Sequence, residues 1–496
     1  MWGLIKKAGE FIAPMMAINS LEEFQESCTL VLSTITLNDS NDTISFNGAL
    51  NNVQDYLSEE INSDDHPCLD YFVSESIMQQ IVDKVDKDLP EEHIAPIFDF
   101  FSAFINTELN KHFLQVTVHR PFTKLLSLLD VFYSKSATET RQFVSNLWST
   151  VRPSPIMLEM MSIDGKFPLL DFFFSLVFSP DKSNDYARDA IRSIVSKTSP
   201  ELPSLFLEYI KKNLYPQIVA FLIQISRCVT TLQFNGAFTS LLLWIDETLT
   251  YYSDFPVDSL FQEIQQFSAA EQLLTISMLL SFFISPVIFE RAMKYSLEDE
   301  LFDIVKATLN SDVEFDRKAA VTFLKTLLRC KPEAANFMIP QAQTEAADVL
   351  SLLPPEWLVQ IDGSTAMEAY ETDAMTRINF YGIRRAQGTD KNIFGDILNI
   401  LSNFKSQSMT LCLSLSELIL MILANAPDLI STDLAKAYEA AVKQYSDVPY
   451  FQMPMREFAD TKEVRAAILT EFGKEIHATF IASEKIKAHV EMFNHV

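Results

Sequence analysis

Asp316-Arg317-Lys318-Ala319-Ala320-Val321, continuing through Leu324, Leu327 and Leu328 to Pro332-Glu333, is the stretch that decides the fold class. Steps of three, three and one from Val321 trace a single face of an α-helix. An acidic residue, then Arg, then small residues on an apolar helix is how the second helix of an armadillo- or HEAT-type repeat often begins. The same order occurs in Asp185-Tyr186-Ala187-Arg188-Asp189-Ala190-Ile191, which leads on to Pro200-Glu201. Outward from these two segments the helical spacing persists. Ile77, Ile81, Val82 and Val85 share one face, as do Leu398, Leu401 and Phe404. No segment alternates apolar and polar residues over a strand's length, and Asn47-Gly48 and Asn235-Gly236 both lead into helical patterns rather than hairpins. Pro67, Pro90, Pro121 and Pro200 stand where helices should start, because proline at the first helical position removes no hydrogen bond. The expectation is an all-α chain of about twenty ordinary helices, stacked as an α-solenoid of armadillo/HEAT-like repeats with periods of roughly forty residues.

Glycine supports this: 10 of 496 residues, where an average chain carries about 7%. Doubly wound sheets, barrels and phosphate loops depend on glycine for tight turns, and the shortage disfavours them. Hydrophobic residues at 48% and charged residues at 21% describe a folded chain with a large core. Lys+Arg 39 against Asp+Glu 66 gives a net charge of −27. Such a chain is repelled by phosphate backbones, so no nucleic-acid partner is expected, and a basic membrane-surface role is disfavoured. Cys28, Cys68, Cys228, Cys330 and Cys412 include no C-x-x-C pair and imply a reducing compartment. Lys6, Lys7 and Glu10 interrupt the apolar character of the first residues, so no signal peptide is read there and the expected address is cytoplasmic.

Residues 1–353 read as one helical-repeat region, 354–390 as an irregular connection holding Gly363, Gly382 and Gly388, and 391–496 as a C-terminal helical block. Gln272 to Phe289 passes eighteen residues without a charge, near the lower limit for a membrane span. Thr275, three serines and Pro286 favour a buried helix instead, so the chain is not expected to be transmembrane. The first sixteen residues form an amphipathic pattern through Ile5, Ala8, Ile12, Met15 and Met16, read as an end cap in preference to a membrane or partner anchor.

Catalytic and cofactor signatures are missing: no phosphate loop, dinucleotide fingerprint, nucleophile elbow or zincin helix occurs. No cofactor or metal is expected and no enzyme. His489, Glu491 and His495 sit at steps that place them on different helix faces and read as a solvated terminus. Carboxylate runs such as Glu59-Glu60 and Asp64-Asp65 read as a solvated face.

One succession of motifs is more specific. His66-Pro67-Cys68-Leu69-Asp70-Tyr71-Phe72 is followed by Val116-Thr117-Val118-His119-Arg120-Pro121-Phe122-Thr123-Lys124-Leu125-Leu126. Phe167-Pro168-Leu169-Leu170-Asp171, Ser179-Pro180-Asp181 and Ile393-Phe394-Gly395-Asp396-Ile397-Leu398 come later. Glu471-Phe472-Gly473-Lys474-Glu475-Ile476-His477-Ala478 closes the series. The succession resembles the FTS- and Hook-interacting protein (FHIP) family, with Ile476 and His477 standing in the KELAA-like segment near 474–478 where the family has Leu and Ala. The resemblance implies a non-catalytic α-solenoid scaffold. Its implied partners are a Hook-type coiled coil, an FTS-like protein and a Rab GTPase, and its implied role is to link endosomes or other vesicles to dynein. The long polar insertions of animal members are missing.

On this reading His119 and Arg120, fixed ahead of Pro121 in an inter-helix turn, either donate to orphan carbonyls of the preceding helix or contact a partner; the structural role is favoured. Ile468, Phe472, Ile476 and Phe480 form an apolar stripe on the C-terminal helix. The stripe either packs on preceding helices or, with Lys474 and Glu475, helps assemble the complex; packing is favoured. The alternative function is another acidic α-solenoid, a karyopherin-like carrier of basic cargo.

Overall fold

The computed structural model describes residues 20–37, 40–60, 65–106, 116–151, 159–179, 184–195, 204–229, 236–250, 255–339, 348–358, 364–381, 393–448 and 460–494. Among these residues every regular element is a helix, and the fold is all-α. The chain groups into two compact units, Met1–Gln217 and Ile218–Val496.

The first unit contains α1 (residues 20–34), α2 (Ser40–Glu60), α3 (Pro67–Ser74), α4 (Ile77–Lys84), α5 (Glu91–Asn106), α6 (Val116–Leu126), α7 (Leu129–Lys135), α8 (Ala137–Val151), α9 (Pro168–Val177) and α10 (Asp185–Val195). Its core is built on phenylalanine. α5 packs between α2 and α8. Phe98 stacks on Phe143 with ring centroids 4.5 Å apart, and Phe101 meets Phe122 of α6 edge-on at 4.8 Å. Such pairs add about 0.5–1.5 kcal/mol each beyond the area they bury.

The division between units falls inside α11 (Ser204–Cys228). The second unit continues with α12 (Gly236–Thr250), α13 (Val257–Ile264), α14 (Ala269–Phe282), α15 (Pro286–Ser296), α16 (Asp299–Leu309) and α17 (Glu314–Cys330). It ends with α18 (Ser364–Tyr381), α19 (Ile393–Ser402), α20 (Met409–Asn425), α21 (Thr432–Lys443) and α22 (Lys462–Asn494). α17 is central. It packs along α14 on one side, and the Cys330 thiol at its C-terminal end meets the Leu280 carbonyl at the C-terminal end of α14. On its other side the Arg317 Nε donates to Gln407, just ahead of α20, at 3.1 Å. Further along, Lys325 and Arg329 both pair with Glu417. Early residues thus meet early and late meet late, so α14, α17 and α20 run parallel. Burial pushes the Glu417 carboxyl up, but the two cations outweigh it and hold the pKa below the ordinary value.

Beside the backbone N–H groups that close most described helix ends, cations reach carbonyls at or beyond several of them. A helix leaves its last carbonyls without partners, and a left-handed glycine is the usual remedy. Among the described residues Gly165 is the glycine with positive φ, and it ends no helix. Instead Arg188 of α10 donates its Nε to Val177 O, the last carbonyl of α9, at 3.0 Å, and a second nitrogen to Ser179 O. Arg317 of α17 reaches Ser311 O beyond α16. Lys135 reaches Lys87 O and Leu89 O beyond α4, at 2.6 and 2.9 Å. Arg465 reaches Phe404 O and Lys405 O beyond α19, each at 3.2 Å. Arg188 and Arg317 are the arginines of the two repeat-like sequence segments, so the shared motif performs a shared task.

Several sequence expectations change. The turn expected at His119-Arg120 is helical, with Pro121 inside α6. An internal proline costs about 3 kcal/mol, yet Val118, Phe122, Leu125 and Leu126 are all buried there, at about 1.5–3 kcal/mol each. Burial wins. Within 354–390, expected to be irregular, α18 is an 18-residue helix; its interrupted apolar pattern hid it. The three glycines of that stretch lie outside the described residues, as do residues 1–19, Pro200 and His495. Pro67 does open α3, but Pro90 stands one residue ahead of α5. The uncharged run from Gln272 is divided between α14, which is buried over ten of its 14 residues, and α15, which starts at Pro286. No helix among the described residues is long and apolar enough to cross a membrane. Glu60 is not simply solvated: its two carboxylate oxygens accept the Cys68 and Leu69 N–H groups, both at 2.9 Å, at the start of α3.

Arg188→Ala should remove the guanidinium donors from Val177 O and Ser179 O and cost about 1.5–3 kcal/mol, the range for hydrogen bonds to charged groups. Denaturant unfolding followed by circular dichroism measures it; a change below 0.5 kcal/mol would show that water replaces the guanidinium.

Candidate functional site

The C-terminal helix α22 carries most of the residues singled out as partner contacts. It lies against α18, α20 and α21. Phe472 and Ile476 are 3% and 0% exposed, so no partner reaches them while the helix is docked. Phe472 meets the ring of Tyr438 on α21 at 6.0 Å, and the Tyr438 hydroxyl donates to Leu469 O at 2.7 Å. Gly473 lies directly beneath that tyrosine. A Cβ built on it would stand 2.3 Å from the hydroxyl oxygen and 3.4 Å from Leu353. The glycine is required by close approach of a neighbouring side chain to the helix surface.

The polar residues of the segment are also engaged within the chain. Glu471 accepts from the Tyr370 hydroxyl of α18 and from Lys474 at 2.8 Å, and the Lys474 ammonium lies over the Tyr370 ring at 5.8 Å. Glu475 pairs with Arg377 of α18, and both are more than three-quarters covered. The burial of Tyr370 and its bond to Glu471 push the phenol well above the usual tyrosine range. Lys474 and Glu475 therefore fasten α18 to α22. Phe480 is half-buried and keeps a partial face to solvent. Of the expected C-terminal contacts it is a half-buried one with no ion pair among the described residues.

His119 and Arg120 lie in the first unit, apart from this cluster in sequence and in contact unit. His119 is half-buried, its carbonyl accepts from Thr123 at 2.9 Å, and its Nδ1 has no partner among the described residues. Arg120 is exposed, with no ion pair or hydrogen bond among the described residues. The carbonyl-capping role expected of it is performed by Arg188 and Arg317.

A feature the sequence reading passed over lies in the same unit. Asp164 and Gly165 have φ of 51° and 73°, and Ile163 and Lys166 exchange both backbone hydrogen bonds, at 2.9 and 2.8 Å. Positive φ at both central residues is a type I′ turn, for which Asp-Gly is a strong signal. Beside it opens a cleft of about 410 Å3 bordered by α6, α7 and α9.

Three of the five cysteines are held as thiols. Cys28, Cys68 and Cys412 are buried, and burial pushes each thiol up to about 12. Asp246 on α12 is 8% exposed; burial raises its pKa while the N–H groups of Ile284 and Ser285, at 2.9 and 2.7 Å, oppose the rise. It closes the break ahead of α15. No group of three His, Cys, Asp or Glu side chains suited to a metal ion occurs among the described residues.

Three substitutions separate core from surface. Gly to Ala inside a helix ordinarily stabilises by about 1 kcal/mol, but Gly473→Ala should destabilise by about 1–3 kcal/mol by overpacking. Tyr438→Phe in the same chain, which deletes the clashing oxygen, should recover part of the loss in thermal melts. Arg120→Ala should change stability by less than about 0.5 kcal/mol, as exposed substitutions do; a larger fall in the same melts would reveal contacts to this arginine.

No family model matches the chain, and no curated protein matches it. Among solved structures it is similar to the crystal structure of an engineered protein, at 14% identity and a TM-score of 0.26, over 90% of this chain and 99% of the other. A likeness at that score carries no inference about architecture or role.

Proposed function

We propose that the protein is a non-catalytic helical-repeat scaffold, an adaptor subunit of an FTS–Hook–FHIP-type complex that links endosomes or other Rab-marked vesicles to dynein-driven transport. In this reading it is cytoplasmic and associates peripherally with vesicles through its partners. The observation that carries the proposal is the ordered run of FHIP-like segments from His66 to Ala478. The solenoid reading draws on two physical features. Helices α14, α17 and α20 run parallel in one stack, as the second helices of successive repeats do. Arg188 and Arg317, at matching places in two repeat-like segments, each reach back to a carbonyl at or just beyond the end of the preceding helix. A stack of this kind presents an extended surface suited to a long coiled-coil partner.

The alternative, an acidic array that carries basic cargo, is favoured by the net charge of −27. Co-purification of the full chain with a Hook-type coiled coil tests the first reading against a basic peptide for the second. Retention of the coiled coil at 150 mM salt supports the adaptor; its loss together with retention of the basic peptide overturns it. Deleting α22 is unsuitable as a probe because its stripe is core. Arg120→Glu, at the residue left accessible, is expected to weaken coiled-coil retention without lowering the melting temperature.

A further inference from the structure

His93 is a titratable side chain set in the core of the first unit. It lies in the first turn of α5, is 0% exposed, and stacks its ring on Phe46 of α2 with centroids 4.4 Å apart. Its Nδ1 stands 2.8 Å from Ile35 O, in the turn that follows α1. A carbonyl only accepts, so Nδ1 carries a proton and donates it. Nε2 is buried and has no hydrogen-bond partner among the described residues. One ring thus joins α5, α2 and the turn after α1, with one nitrogen used and the other bare. The packed elements bring little charge to it. The residues α8 buries, from Thr140 to Val151, are uncharged, and its Glu139 and Arg141 are engaged with Ser136 and Tyr133. Val31, Thr34 and Ile35, buried at the end of α1, are uncharged too. On α2, Asp42 stands one turn before Phe46; on α5 itself Glu91 and Glu92 are exposed. Lys135 of α7 brings a cation to Leu89 O, four residues ahead of His93.

We propose that His93 is a proton-sensitive latch, and that a second proton on its ring releases the end of α1 and the start of α2 from α5. In the docked state that proton would make Nε2 a buried donor with no acceptor, and would put a charge in an apolar site near the turn that Lys135 already reaches. In the opened state water satisfies both nitrogens. The sign follows: an exposed histidine takes up its proton near pH 6.5, the docked ring has no place for it, and the state that binds more protons gains as pH falls. The latch holds above that range and loosens below it, uncovering Phe46 and Ile35. The inference is independent of which assembly the protein joins.

Hydrogen exchange of the full chain read by mass spectrometry at pH 7.5 and 5.5, with exchange times scaled for the intrinsic amide rate, tests it. Residues 31–50 and 91–97 should lose about tenfold in protection at the lower pH, the factor one proton supplies between these values. Helices α17 and α20 of the second unit should hold within about twofold. His93→Gln keeps a donor for Ile35 O and removes the titration, so the loss should disappear. His66→Gln, His112→Gln and His119→Gln together replace the other histidines of the first unit and should leave the loss in place, which assigns it to His93 even if His93→Gln fails to fold. Protection unchanged at pH 5.5, an equal loss in both units, a loss that persists in His93→Gln, or one abolished by the triple variant overturns the proposal.

Discussion

Helix-end carbonyls without donors set the terms for this structure. A chain whose described elements are nearly all helices has many ends, and each helix leaves its last carbonyls without partners inside the helix. Glycine in the left-handed conformation is the inexpensive solution, and this sequence holds 10 glycines in 496 residues. Backbone N–H groups close most of these ends, and long cationic side chains add to them: Arg188 reaches the last carbonyl of α9, and Lys135, Arg317 and Arg465 reach carbonyls of the connections beyond α4, α16 and α19. Each such bond fixes the position of one helix end relative to the helix that supplies the cation, so capping and packing become the same interaction. The acidic counterpart occurs at helix starts, where Glu60 and Asp246 accept backbone N–H groups. Charge placement follows the helix dipole at both ends.

This arrangement accounts for where the cations of an acidic protein are found. With Lys+Arg 39 against Asp+Glu 66, carboxylates have too few partners. Several cations are committed to carbonyls, and others to the bridges that align α17 with α20 and α18 with α22. Carboxylates left over, such as Asp130 and Asp164, lie exposed on the surface.

The helical class was legible because periodicity and glycine scarcity report the same constraint. Arg188 and Arg317 were legible as repeat markers, although their task was assigned to Arg120, because a proline was taken to start a helix. A proline's position in a helix depends on what the flanking residues bury, and Val118, Phe122, Leu125 and Leu126 made the longer helix favourable. Helix α18 was not legible. Its order derives from Tyr370 and Arg377 meeting Glu471 and Glu475 about one hundred residues away, and no local pattern encodes such a contact. The Asp-Gly turn was legible in principle, since the dipeptide is a hairpin signal, but the flanking strands are single residues and carry no alternation.

The C-terminal segment shows how one set of residues can look like a binding motif and serve as a clasp. Phe472 and Ile476 form an apolar stripe, Lys474 and Glu475 flank it with both charges, and a glycine interrupts the helix surface. Each feature would suit a docking helix. Each is spent inside the molecule: the stripe on Tyr438 and the core, the charges on α18, the glycine on the space Tyr438 occupies. Tyr438 links them, since its ring packs on Phe472, its oxygen sits over Gly473 and its proton goes to Leu469 O. Any partner assembled at this end must therefore use the outer faces of α18 and α22 rather than the stripe, because opening the stripe would expose the Tyr438 site and release α18 with it.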